Sequence, residues 1–404
     1  MNAGQVGGDV TGDELPIGRR VARWRVRQRM TQQMLADRLG KSKSWVDKVE
    51  RGARVLDKYS VIQEIATVLR VDPAMLLGQH RPSPPVLLVA VDGVRAALAR
   101  YDAARTGEPG DPVSVTELGR QVGHLWLTYQ HADYPQVLRT LPGLLDAAQR
   151  LHSVDPVHGM QLLVSVYRIM SSVLVKLGEA DLGWLAADRA VATAGDDPVL
   201  AGAAAVSIGH ALRALGRGRL AMAATVAAAH RIAPVRLPEG SGKLAVQGAL
   251  LLQAALAAAG CVEGRRVEEL TDQAIEIAAW VDAREDPHQT SFGLVAVELA
   301  RIVAAVELGN AEEAVYRHEQ AIRREAWRLL PAEYRAAYLV DAARAYLQVG
   351  DLRGAGRVLV DADGIAPAEV RCRPAARTVI AELARSHLAP AGVARLATLV
   401  GLTR

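Results

Sequence analysis

Five glycine stops recur along the second half of the chain: Leu177-Gly178-Glu179, Leu215-Gly216-Arg217, Ala259-Gly260-Cys261, Leu308-Gly309-Asn310 and Val349-Gly350-Asp351. Each closes one apolar helical run and precedes another with Ala at helical spacing. The intervals between these glycines are 38, 44, 49 and 41 residues. An earlier member, His131-Ala132-Asp133-Tyr134, stands 46 residues before Gly178. A helix–turn–helix unit cannot bury its apolar face alone, so a chain that repeats one must stack the copies. About six units fit between residues 114 and 400, with longer joints at Ala233–Gly242 and Asp282–Thr290. Ala and Leu are strong helix formers, and aromatics make up only 4% of the residues, so an all-α chain is expected.

The 404 residues suggest two or three domains, and charge separates them. Residues 16–80 hold 14 Lys/Arg against 6 Asp/Glu, a net of +8, while residues 1–15 carry −3 and the remainder −1. Positive charge confined to one small module is the footprint of a polyanion partner. Arg81-Pro82-Ser83-Pro84-Pro85 is a stiff joint. A helix from about Val86 to Ala104 follows, then a loop over residues 106–112.

Five short helices are expected in the basic module. Ile17, Val21 and Trp24 form one stripe. Thr31 can cap a second helix that buries Leu35, Ala36 and Leu39 and stops at Gly40. Ser42 can cap a third, running to about Arg51, with Val46 and Val49 inward and Gly52 as its stop. Val61, Ile62, Ile65, Ala66 and Leu69 form a fourth, and Asp72-Pro73 opens a fifth that ends near Gly78.

The run Thr31-Gln32-Gln33-Met34-Leu35-Ala36-Asp37-Arg38-Leu39-Gly40, followed by Ser42–Gly52 and the later Asp72-Pro73-Ala74-Met75-Leu76-Leu77, resembles the phage-repressor-type (XRE) helix-turn-helix regulators over about residues 17–78. Lys41 departs from the small apolar residue usual there. The resemblance implies a five-helix, lambda-repressor-like domain whose third helix enters the major groove. Lys43, Ser44, Asp47 and Lys48 are then the outward residues nearest base edges. Gln32, Ser42, Trp45, Arg51, Arg54 and Lys58 are the phosphate-contact candidates. For Trp45, sugar-phosphate packing, a thymine methyl and a partly buried core position all remain open. Glu50 is expected to pair with Arg25 as a structural link.

The repeats resemble tetratricopeptide-type hairpins, with a period above 34 that drifts. A head of this kind on such a body also looks like a group of actinobacterial regulators, an impression carried by Leu182-Gly183-Trp184-Leu185-Ala186-Ala187-Asp188-Arg189-Ala190. A stacked superhelix exposes a concave surface lined by the first helix of each pair. Its candidate lining is Trp126, Tyr129, Tyr167, Arg168, His210, Arg213, Gln253, Phe292, Glu298, Arg301, Tyr334, Tyr338 and Arg344. A peptide and a small molecule both fit as effectors, and a protein partner is the further alternative.

Catalytic and metal motifs fail on inspection. Gly240-Ser241-Gly242-Lys243-Leu244 lacks the first glycine and the Ser/Thr of a phosphate loop. His318-Glu319-Gln320-Ala321-Ile322 lacks the second His of a zinc-protease helix. His152, Asp155 and His158 form only a weak metal candidate, and Cys261 and Cys372 stand alone as thiols expected to be buried. No enzyme, cofactor or metal is expected.

Met1–Leu15 lacks the apolar core of a signal peptide. The longest apolar run, Leu244–Ala259, is interrupted by Gln247 and Gln253 and is expected to fall short of a membrane span. The expected organisation is a disordered tail (1–15), a helix-turn-helix domain (16–80), a linker with a connecting helix (81–112) and a helical-repeat sensor and dimerisation domain (113–404). The expected function is a cytoplasmic, nucleoid-associated, sequence-specific regulator of transcription. It would act as a homodimer on a near-palindromic duplex operator, away from membranes. The alternative is a repeat-based interaction adaptor with little sequence preference.

Overall fold

The computed structural model describes residues 17–28, 30–54, 56, 59–69, 71, 76, 85–100, 114–232, 241–281, 286–386 and 391–402. Two compact units are present, Met1–Ser83 and Pro84–Arg404. Among the described residues the regular structure is entirely α-helical.

In the first unit, α1 (Ile17–Arg27), α2 (Gln32–Arg38), α3 (Lys43–Glu50) and α4 (Tyr59–Leu69) surround a small core. Val21, Leu35, Ala36, Val46, Val49, Ile62, Ile65 and Leu69 fill it. Thr31 and Ser42 cap α2 and α3, accepting the amides of Met34 and Trp45 at 3.1 Å each. Gly40 and Gly52 adopt left-handed φ of 60° and 75° at the helix ends, where a Cβ would be strained. Of the expected fifth helix, only Leu76 lies within the described residues, as does none of the 1–15 tail. Leu76 is buried, and its carbonyl accepts from Nε of Arg20 at 2.8 Å.

The second unit opens with α5 (Pro85–Ala99), which packs along α7 (Tyr134–Val154). Leu87, Val91, Val94, Ala97 and Leu98 of α5 enter the same core as Val137, Leu141 and Leu145. This helix, expected as a connector, is therefore part of the body, and Arg189 donates to the Leu98 carbonyl at 2.6 Å. The loop over 106–112 lies outside the described residues.

The hairpins then follow in order. They are α6 (Val115–Gln130) with α7, α8 (Pro156–Lys176) with α9 (Ala180–Ala194), and α10 (Pro198–Ala214) with α11 (Gly218–Arg231). Next come α12 (Ser241–Gly260) with α13 (Gly264–Ala278), and α14 (Leu294–Leu308) with α15 (Ala311–Ala321). After the single turn of α16 (Glu325–Leu329), α17 (Ala332–Gln348) pairs with α18 (Leu352–Ile365). The described chain ends in α19 (Pro367–Arg371), α20 (Pro374–Ala384) and α21 (Ala391–Leu399). Gly178, Gly216, Gly309 and Gly350 take the left-handed turn between partner helices, with φ from 69° to 84°. At the remaining stop, the third in chain order, the expectation shifts. Gly260 ends α12, and Val262 takes the left-handed position with φ 62°. The earlier stop likewise turns on Ala132, φ 60°.

The first helices of the hairpins form a closed ring. Each touches the next, from α6 through α8, α10, α12 and α14 to α17, and α17 returns to touch α6. The sequence implied an open concave surface, and the structure encloses it. Small residues at the tightest joint permit this curvature. Gly202 and Gly209 of α10 lie against α12, where an added Cβ would meet Val246 at 3.0 Å and Gln253 at 3.1 Å. A Cβ on Gly248 would meet the ring of Phe292 at 2.0 Å, so the distal edge of the only Phe of the chain packs on bare backbone.

Helix α12 corrects one expectation. By length and composition it is apolar enough to cross a membrane. The structure places most of it inside the protein core, and its two glutamines are spent internally. Gln247 donates to the Ala229 carbonyl at 3.5 Å, and Gln253 accepts from Arg213 at 3.0 Å.

Candidate DNA-binding helix and ring cavity

The third helix of the first unit is held by one buried charge pair. Arg25 Nε and Nη2 donate to the two carboxylate oxygens of Glu50 at 2.6 and 3.0 Å, the fork-to-fork geometry that fixes orientation as well as distance. Arg25 Nη1 donates onward to the Met30 carbonyl at 2.8 Å, and Gln32 Nε2 adds a bond to Glu50 Oε2 at 2.8 Å. Hydrogen bonding to Glu50 raises the Arg25 pKa above its ordinary value, outweighing the opposing effect of burial. Gln32, a phosphate candidate, is thus tied into this structural link.

Gly18 completes the joint. A Cβ there would sit 2.0 Å from the Val49 carbonyl oxygen, so α1 reaches the end of α3 only because the residue has no side chain. No periodicity or capping pattern marks that contact in the sequence.

With Val46 and Val49 buried, the opposite face of α3 is open. Lys43, Ser44 and Lys48 are exposed, as are Ser42, Arg51 and Arg54 nearby. Asp47 is half-buried and forms an ion pair with Arg51. Trp45 is half-buried against the core, and the Arg54 guanidinium lies 5.8 Å from its ring centre. Lys58 lies outside the described residues.

Residues 16–77 match the family model described as "Helix-turn-helix domain". The first unit carries a helix-turn-helix domain. No curated protein matches the chain. Among solved structures, BtubC (BKLC) from P. vanneervenii is similar at 18% identity and a TM-score of 0.38, over 59% of this chain and 90% of that one. Bacillus thuringiensis PlcR, solved in complex with the peptide PapR7 and DNA, is similar at 12% identity and a TM-score of 0.36, over 76% of this chain and 94% of that one.

Beyond the helix-turn-helix domain, the ring of the second unit encloses a cavity of about 510 Å³. Its wall brings together Trp126, Tyr129, Arg168, His210, Arg213, Gln253, Phe292, Tyr334, Tyr338 and Arg344 from the candidate lining. Three candidates stand elsewhere. Tyr167 of α8 accepts a bond from Gln149 of α7 at 3.1 Å and so is turned toward the second helix of the preceding hairpin. Arg301 pairs with Asp272 of the outer helix α13, and Glu298, three residues earlier, also misses the wall. Helical spacing identifies a first helix but not which third of it faces inward.

Four charges clustered beside the cavity, Lys176, Glu333, Glu369 and Arg373, were not among the candidates. Lys176 Nζ lies 2.6 Å from Glu333 and 2.5 Å from Glu369, and the Tyr134 hydroxyl donates to the same Glu369 oxygen. Arg373 approaches the other Glu369 oxygen at 3.7 Å and donates to the Ala337 carbonyl at 3.0 Å. This cluster joins α7 and α8 to α17, α19 and α20, at the seam where the ring closes. Burial acts to lower the Lys176 pKa, but the two carboxylates outweigh it and hold the amine above its ordinary value.

The loop from Asp286 to Phe292 roofs one side of the cavity. The Asp286 carboxylate accepts the amides of Thr290 and Ser291 at 2.9 and 2.7 Å, and the Thr290 hydroxyl at 3.0 Å. Gln289 and Ser291 hold left-handed φ of 51° and 53°, and Gln130 of α6 donates to Gln289 at 2.7 Å.

The remaining motifs have structural occupations. Asp155 accepts the His158 amide at 3.2 Å as the cap of α8 and pairs with its ring at 2.7 Å. His318 is buried against the Tyr338 hydroxyl at 3.0 Å. Among the described residues no group of three His, Cys, Asp or Glu could hold a metal. Cys261 and Cys372 are free and half-buried.

Proposed function

We propose that the protein is a sequence-specific DNA-binding regulator of transcription whose ring unit senses an effector. The observation that carries this reading is the exposed face of α3. A basic, solvent-facing helix start is held rigidly from behind by the Arg25–Glu50 fork, in a domain that matches the helix-turn-helix family. Lys43, Ser44, Asp47 and Lys48 meet base edges in the major groove, while Gln32, Ser42, Trp45, Arg51, Arg54 and Lys58 meet the backbone. Lys43 and Lys48 donate to guanine O6 and N7. Asp47, shared with Arg51, steers that pair toward its contact.

One such head buries little DNA surface, so two copies act together on a near-palindromic site. The effector occupies the ring cavity and biases the competence of the head. An interaction adaptor is less well supported, because the first unit matches the helix-turn-helix family and exposes a basic helix face.

The reading is tested by selecting binding sites from a random duplex library with the full-length protein. Lys43→Ala and Lys48→Ala are expected to lower discrimination between the selected site and random DNA by about tenfold each, at about 1–3 kcal/mol per contact. Arg54→Ala is expected to weaken both about equally and reduce the salt slope by about 1. Enrichment of no site, or indifference of binding to all three variants, would reject the assignment.

A further inference from the structure

The charges around the cavity do not balance locally. Lys176 is matched by Glu333 and Glu369, Arg344 by Glu307 and Asp341, and Arg373 by Glu369 and Asp341. Arg168 has no carboxylate within ion-pair distance among the described residues. Its Nε is buried with no hydrogen-bond partner, although only 5% of the residue is exposed. The Trp126 ring, 5.3 Å away, is its close neighbour. Asp286 is near enough to act through space, but its oxygens are occupied by Thr290 and Ser291. Arg213 likewise has no ion pair among the described residues: it donates to the neutral amide of Gln253, and Asp341 and Glu307 act on it only through space.

A buried guanidinium left without an anion is costly, and proteins retain such groups where a ligand completes them. Burial has pushed Arg168 down to about 10. Between these cations, His210 is pushed down to about 3, by burial first and then by Arg213, Lys176, Arg168 and Arg373. One side of the cavity therefore holds converging positive charge around a neutral imidazole. The cavity is also lined by the hydrocarbon side chains of Leu252, Leu256, Phe292, Leu299 and Val303. Those side chains suit the apolar body of a compact molecule.

We propose that the ring cavity binds a small organic monoanion, with its charged group on Arg168 against Trp126 and its apolar body toward Phe292 and Leu256. This names the effector class for the sensing role proposed above and rests on that reading for its biological sense. The binding itself can be tested without DNA.

The test uses the full-length protein and two fluorescent probes of nearly the same shape. One, 8-anilinonaphthalene-1-sulfonate, is an anion; the other, N-phenyl-1-naphthylamine, is neutral. The wild type is expected to bind the anion at one site and more tightly than the neutral probe. Arg168→Met keeps the packing on Trp126. It is expected to weaken the anion at least tenfold and leave the neutral probe unchanged. Arg168→Lys is expected to restore most of the anion preference, and Leu256→Trp, which puts a larger side chain where the apolar body is proposed to lie, to weaken both.

Thermal melting of the unliganded protein supplies the second readout. Arg168→Met is expected to melt no lower than the wild type, because it removes an unmatched charge. Equal loss of both probes in Arg168→Met, no loss of either, retention of both in Leu256→Trp, or a large drop in melting temperature would each overturn the proposal. Failure of operator binding to respond to any organic anion would count against the sensing role and leave the site standing.

Discussion

Lys176 Nζ sits 2.5 Å from Glu369 Oε1 across 193 residues of chain, and the pair marks the seam of the ring. Glu369 is fully buried, and its carboxylate is met by Lys176, Arg373 and the Tyr134 hydroxyl. Removing one member of such a cluster strands the others in low dielectric. Lys176→Met is expected to destabilise the second unit by about 3–5 kcal/mol. Urea unfolding followed by far-ultraviolet circular dichroism measures it, and a loss below about 1 kcal/mol would show that the seam is held by apolar packing alone.

Arg25→Lys tests the fork behind α3. Lysine keeps the charge but supplies no planar pair of donors. The first unit is expected to lose about 1–3 kcal/mol of stability. Amide exchange in α3 should speed up while the ring unit is unaffected. Unchanged exchange in α3 would mean that the fork does not set the helix in place.

Gly18→Ala is expected to cost at least about 1–3 kcal/mol, since the added methyl meets the Val49 carbonyl and α1 must move away from α3. Limited proteolysis of the first unit reads the change. The Ala variant should be cut sooner between α1 and α3, and equal cleavage rates would refute the close approach.

Acid is expected to weaken the ring unit. His210 is held down at about 3 and His318 at about 4, both chiefly by burial, against an ordinary value of 6.5. Below that ordinary value the unfolded chain takes up protons that the folded chain refuses, so stability falls as pH drops from 6.5 toward 4. The slope is about 1.4 kcal/mol per histidine for each pH unit. His318→Gln, which can still bond the Tyr338 hydroxyl, should flatten the profile by one histidine's share. An identical pH profile in that variant would exclude His318 as a source.

Much of this architecture was legible before any coordinates. The caps Thr31 and Ser42, the stops Gly40 and Gly52 and the hairpin turns at Gly178, Gly216, Gly309 and Gly350 are local rules, each set by one residue and its immediate neighbours. The Arg25–Glu50 pairing followed from resemblance, and most of the cavity wall from helix order. What stayed hidden depends on residues far apart in the chain. Lys176, Glu333, Glu369 and Arg373 each look like solvated charges on a helix, and only closure of the ring buries them together. Gly18 gives no signal because its role is an empty space beside Val49. Tyr167 and Arg301 fail as wall residues for a related reason. A helix has several inward-facing rows, and which one meets the cavity is set by its neighbours.

Closure of α17 onto α6 also limits how this protein can change over evolutionary time. An open array of hairpins tolerates duplication or deletion of a unit, because only nearest neighbours are in contact. Here, adding or losing one hairpin would pull Lys176 away from Glu369 and expose every ion at the seam. Descendants of this chain can vary the loops and repaint the cavity wall, but they inherit a fixed number of spokes.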